Sequence, residues 1–196
     1  MPQNPQLPLD RCPHCNVAKP HIHRQWGPAA SQDHSDQNKT VWSVYRCNTC
    51  GGMILVCSPN SHGVDITNIW PAPMEVTEEL PTRAKEFLSQ AIASLHAPAG
   101  AVMLTASAVD AMLKDKGYKD GSLNTRIEDA AKNHLITAEM AAWAHEIRLD
   151  ANDQRHADDG ATLPNTADAT KAIDFGNALA QFLFELPARV ARGRHS

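Results

Sequence analysis

Two Cys-x-x-Cys pairs, Cys12-Pro-His-Cys15 and Cys47-Asn-Thr-Cys50, constrain the start of this chain more than any other feature. Thiolates are soft ligands, and each such turn presents two sulfurs to one ion. Two turns therefore complete a closed tetrahedral site of the kind that holds zinc. The knuckles read RCPHC and RCNTCGG, and the glycine after the second pair helps the turn bring backbone N–H groups toward the sulfurs. A dithiol redox centre is the rival for a lone pair, but neither pair opens a helix as that chemistry prefers. With Cys12, Cys15, Cys47 and Cys50 all placed, no coordination position is open for water. The expectation is one structural Zn2+ that folds a region too small for a core of its own. Cys57 falls inside a β-prone run and reads as a small buried hydrophobe. His21-x-His23 is a weaker chelate, and a second metal is not expected from it.

No apolar run approaches the length of a bilayer span, and the start of the chain lacks the basic-then-apolar order of a secretory leader. The expectation is a cytoplasmic protein with reduced thiols and no membrane partner. Up to Trp70, Lys and Arg number 5 against 4 Asp and Glu; beyond it the balance is 13 against 18. Neither part has the basic excess of a non-specific nucleic-acid binder, so any such contact must come from a local patch. Arg189, Arg192 and Arg194 form one basic cluster, read as a solvated tail.

Residues 1–70 are rich in Pro, Asn, His and Cys, and the runs VWSVY and MILVC on either side of the second knuckle read as strands. Between them and the first knuckle, residues 25–40 have no periodicity and many turn formers, which predicts a mobile loop. Residues 71–76 form a proline-rich linker. From Thr77 the apolar period becomes helical. Pro81 suits a first helical turn, and a stripe runs from Ala84 to Leu95. A second helix is expected through Val102–Leu113 and a third capped by Ser122. A fourth, capped by Thr137, continues toward His156, and a fifth ends where Pro187 disrupts it. The predicted fold is mainly α: an antiparallel helical bundle over 77–196 with a small N-terminal β zinc ribbon.

The densest chemistry-bearing segment is HEIRLDANDQRH, residues 145–156. On a helix Arg148, Asn152 and His156 recur every four residues and share a face. Such a set can do general acid–base work on a phosphodiester without a metal, with His156 moving the proton, Asn152 orienting a hydroxyl, and an arginine stabilising the developing charge. It can equally cap and bridge neighbouring helices, with Arg148 paired to an acid such as Asp110 or Asp174.

The succession of CPHC and CNTCGG knuckles, the IWPAP linker, the helices from Leu80 to Lys116, the IRLDANDQRHAD segment and a closing FLFELP resembles the domain of unknown function 4145 family. That family is similar to the HEPN superfamily of helical ribonucleases, toxins and defence proteins, and its members occur alone or fused to restriction-endonuclease subunits. The resemblance implies a HEPN-like bundle, a homodimer whose two R-x4-6-H motifs face one cleft, contact with RNA or DNA, and a protein partner in a phage-defence or restriction-associated system. Aligned on Asn152 and His156, the motif arginine falls at Ala151. Arg148 or Arg155 would have to replace it, and near Ala106 the second helix lacks the family's arginine while Asp110 keeps the acidic position. The leading expectation is therefore a non-catalytic binding or adaptor protein. A metal-independent endoribonuclease using Arg148, Asn152 and His156 is the alternative, and a regulatory protein–protein interaction module without a nucleic-acid role is the third.

Overall fold

The computed structural model describes residues 4–59, 65–156 and 162–194, the side chains of 153–156 excepted. Two compact units divide the chain, Met1–Met74 and Glu75–Ser196.

The first unit is a four-stranded antiparallel sheet in the order β1(Ile22–Ser31), β2(Thr40–Cys47), β3(Met53–Ser58) and β4(Asn68–Trp70). Alternation decides its two faces. In β2, Val41, Ser43, Tyr45 and Cys47 are buried, and in β3 their partners Ile54, Val56 and Ser58 point the same way. With Leu7, Cys12 and Ile22 they form a core of few side chains, anchored by the Tyr45 hydroxyl, which donates to the Asn4 carbonyl at 2.8 Å.

The predicted loop over 25–40 is corrected: Gln25 to Ser31 belongs to β1. The register slips twice, between Arg24 and Trp26 and again between Trp26 and Ala29, so the strand loses the alternation by which sequence reading finds it. Gly27 sits at the second slip with φ +90°, and a Cβ there would lie 2.5 Å from the Trp42 carbonyl oxygen. Only 32–39 turns, and it is organised on Asp33. The Asp33 carboxylate accepts from the N–H groups of Ser35 (2.9 Å) and Gln37 (2.8 Å) and from the Asn38 amide (2.7 Å). The Gln37 N–H is the largest of the influences that hold this carboxyl below its ordinary range.

The second unit is helical: α1(Thr82–Ala93), α2(Pro98–Asp115), α3(Leu123–Lys132), α4(Ala138–His156), α5(Thr166–Ala180), a π-helical turn over Gln181–Glu185, and α6(Leu186–Arg194). The starts follow local chemistry. Pro81 precedes α1 and Pro98 opens α2. The Ser122 hydroxyl accepts from Thr125 N–H at 3.3 Å, and Thr137 accepts from Met140 N–H at 3.2 Å. Asn165 and Asp168 form a reciprocal capping box on α5. Nearly all-round apolar, α2 is the central post and packs against α1, α4 and α5. Phe175 and Trp143 meet at 5.0 Å where α5 faces α4.

The expectation that Pro187 ends the fifth helix is also corrected. Proline has no N–H to donate and its ring crowds the carbonyl four residues back. Here the turn before it widens: Leu186 N–H bonds five residues back to the Gln181 carbonyl, and the helix continues through Pro187 to Arg194. The arginines expected in a solvated tail thus stand on α6, where Arg192 pairs with Glu79. No helix among the described residues is long and apolar enough to cross a membrane.

Candidate metal centre and helical groove

The sulfurs of Cys12, Cys15, Cys47 and Cys50 all lie within 4.8 Å of one another. Zinc–sulfur bonds of about 2.3 Å in a tetrahedron put sulfurs about 3.8 Å apart. Cys12 and Cys50 stand at 3.9 Å.

The two knuckles are built alike. Asn16 N–H bonds the Cys12 carbonyl at 2.9 Å and Gly51 N–H bonds the Cys47 carbonyl at 2.9 Å. The residue after each second cysteine takes a left-handed backbone, Asn16 at φ 56° and Gly51 at φ 75°. Asparagine is the side-chain-bearing residue that best tolerates that region. Backbone donors then reach the sulfurs, His14 N–H to Cys12 and Gly52 N–H to Cys50, both at 3.4 Å. The glycine of the second knuckle was legible in sequence, whereas its counterpart Asn16 was not.

Four thiols this close cannot all hold protons comfortably. Burial pushes the Cys12 thiol up to about 12 against the lowering pull of the Cys15 and His14 N–H groups. At Cys47 burial acts in the same direction, but the Cys50 and Thr49 N–H groups with the Cys12 and Cys50 sulfurs outweigh it and bring the thiol down to about 7. A cation that replaces the shared protons resolves this competition. The donor set, spacing and N–H···S bonds fit a metal ion and are compatible with zinc. Among the described residues no other group of three or more His, Cys, Asp or Glu side chains gathers in this way. His21, just before β1, and His23 within it have parallel rings at 6.3 Å, but no third ligand joins them among the described residues. Cys57 is buried at 6 % exposure, beside Thr67 and Asn68.

In the helical unit an open groove of about 990 Å³ lies between α2, α3 and α4, with Arg83 and Phe87 of α1 also lining it. Arg148 and Asn152 both line it, one helical turn apart as their spacing required, and Ala106 and Ala151 leave its wall without the arginines of the resembling pattern. The side chains of Arg155 and His156 lie outside the described residues. Arg148 does not pair with Asp110. That carboxylate is taken by Arg126 of α3 at 2.8 Å and by Lys114 one turn along α2.

Sequence reading missed Arg126, although there was a signal: it stands on the apolar face of α3, between Leu123 and Ala130. It is 8 % exposed, and its guanidinium also donates to the carbonyls of Gly121 (2.6 Å) and Lys119 (3.1 Å). Its Nε and the Nε of Arg148 are both buried without a hydrogen-bond partner among the described residues. Buried donors are ordinarily paired, so two unmet N–H groups on arginines that both line one groove single out its wall. With Arg83 and Lys114, four cations face two carboxylates, Asp110 and Asp115, along the groove.

No curated protein and no solved structure matches the chain. The family profile described as Domain of unknown function (DUF4145) matches residues 79–195, which spans α1 to α6 and both walls of the groove. The match covers more than half of the sequence, and the chain belongs to the DUF4145 family.

Proposed function

We propose that this protein is a non-catalytic, HEPN-like binding module. In this reading one structural zinc ion folds the ribbon, and the α2–α3–α4 groove of the helical unit holds a phosphate-bearing ligand. The observation that carries it is the set of four cations lining the groove, with the Nε groups of Arg126 and Arg148 buried and without a hydrogen-bond partner among the described residues, since a guanidinium is matched by a phosphate oxyanion better than by a neutral acceptor. Ala151 and Ala106 argue for binding without cleavage: both positions where the resemblance to HEPN ribonucleases would put an arginine carry a methyl group. The same resemblance supplies the setting we propose, a homodimer serving nucleic-acid-linked or phage defence with a protein partner, and the reduced thiols of the cysteine pairs suggest a cytoplasmic location.

The second reading, a metal-independent endoribonuclease, is favoured by one observation, that Arg148 and Asn152 line the same groove. Incubating a mixed single-stranded RNA pool with the protein and with His156→Ala, chelator present, separates the two. The binding module leaves the pool intact in both cases. Cleavage by the wild type that His156→Ala abolishes would replace it with the ribonuclease. Calorimetry with inorganic pyrophosphate tests the groove itself. Binding should weaken at least about tenfold in Arg148→Ala, the loss of one charge-assisted hydrogen bond, and an unchanged affinity would remove the groove from the reading.

A further inference from the structure

The sheet of the ribbon has a second face. Its positions follow from the register, because residues directly opposite in an antiparallel ladder point the same way. Opposite the buried side, one row crosses all four strands: Trp26 of β1, Val44 of β2, Leu55 of β3 and Trp70 of β4. The row on one side is Ala29, Trp42, Cys57 and Asn68, and the row on the other is His23, Arg46 and Met53. Three of the four tryptophans of the chain therefore stand on one face of a sheet whose core is elsewhere.

These rings are not there to fill an interior. Trp26 is 55 % exposed, Trp70 44 % and Met53 48 %. Trp42 and Trp70 stack with centroids 6.0 Å apart and planes at 24°, reaching toward one another across the strand that carries Leu55 and Cys57. Cys57, opposite Trp42 in its row, is buried on the outward side of its strand with Thr67 and Asn68 beside its sulfur. The indole N–H of Trp42 donates to the Ser31 hydroxyl at 2.7 Å, which fixes the ring in place. Trp26 stands on the edge strand opposite that of Trp70, about 14 Å from it at three strand spacings. The floor between is Val44 and Leu55. At one end lie the exposed side chains of His23 and Arg46, and none of the positions in the three rows carries a carboxylate.

We propose that this face binds single-stranded nucleic acid, with bases stacked on Trp26 and on the Trp42–Trp70 pair and Arg46 against the phosphates. Exposed aromatic rings gathered on one face of a sheet, flanked by a cation and free of acids, match unpaired bases on a polyanionic backbone. A protein partner would find only an apolar floor flanked by indoles and one basic end, with no acid for its own cations. A duplex keeps its bases stacked on one another and cannot use the rings. The site is separate from the helical groove and goes beyond the function proposed for it.

The test uses the full-length zinc-loaded protein and a labelled single-stranded RNA or DNA oligonucleotide of about 12 nucleotides, within the usual span of such sites. Anisotropy and tryptophan emission are read together. Binding should quench the emission and exceed binding of the matching duplex. Trp26→Ala should weaken it by about 5- to 100-fold, the range for losing one base–aromatic stack, with zinc content unchanged as the check on folding. Trp26→Phe keeps a ring and should stay within about threefold of the wild type. Equal affinity in Trp26→Ala, binding without quenching, or preference for duplex would overturn the proposal. Unchanged emission at every oligonucleotide concentration would do so as well and leave the face to a protein partner. Because the groove is read by pyrophosphate calorimetry in Arg148→Ala, either site can fail alone.

Discussion

The ribbon and the helical unit solve the same problem by opposite means. In the ribbon, the buried apolar side chains reduce to a handful around Tyr45, and two of them, Cys12 and Cys47, belong to the cysteine cluster that could hold a metal. The helical unit has a continuous core from Leu80 to Phe184, built from stripes on every helix and centred on α2. A small region cannot offset its chain entropy by burial alone, whereas about 120 residues of amphipathic helix can. The difference teaches where each unit is vulnerable: the first to loss of an ion, the second to loss of packing.

Metal removal gives the largest effect and the sharpest test. Structural zinc contributes about 10–16 kcal/mol of folding free energy in small domains. A strong chelator, or the pair Cys12→Ser with Cys47→Ser, should unfold the ribbon while helical circular dichroism at 222 nm persists. Metal analysis should then fall from one ion per chain to none. Loss of the helical signal together with the metal would break the comparison. The dependence on pH follows in sign. Zinc takes thiolates, Cys47 already loses its proton at about 7, and Cys12 holds its own up to about 12, so binding expels protons. Affinity should therefore fall as pH falls through 7, and a chelator competition at acid and alkaline pH should show the metal leaving first in acid.

The reverse perturbation comes next. Phe175→Ala removes a fully buried ring that packs on Trp143, and should cost about 3–5 kcal/mol in denaturant unfolding of the helical unit with the zinc content unchanged. Arg126→Ala should cost about 2 kcal/mol, since it strips bonds from Asp110 and from the carbonyls of Lys119 and Gly121. The smallest effect is predicted at the first knuckle. Asn16→Ala puts a residue that tolerates the left-handed backbone less well than asparagine at φ 56° and should cost about 1 kcal/mol, read as weaker zinc retention, while Asn16→Gly should cost less. Equal losses for the two variants would show that the Asn16 side chain, and not its backbone, matters.

Legibility in the sequence followed the range of the interactions. The knuckles, the proline and hydroxyl starts of α1, α3 and α4, and the common face of Arg148 and Asn152 are all set within a few residues, and local spacing predicted them. β1 was hidden because its two register slips are fixed by pairing to a strand that follows it, so its own residues show no alternation. Arg126 was hidden for a related reason. Its partner Asp110 lies on another helix, and only packing of α3 against α2 turns an arginine on the apolar face into a buried ion pair. The groove was thus half readable: the α4 wall from its period, the α3 wall only in three dimensions.

The widened turn before Pro187 has a mechanical consequence. From Thr166 to Arg194 the chain is one unbroken rod, but an extra residue in that turn advances the phase of everything after it. α5 buries seven residues and α6 buries none. The rod is in effect a cantilever: clamped in the core along its first half, it holds its last turns clear of the packing, roughly 13 Å of helix at 1.5 Å per residue. Arg189, Arg192 and Arg194 ride on that projecting arm, and the strut from Arg192 to Glu79 steadies it from the side.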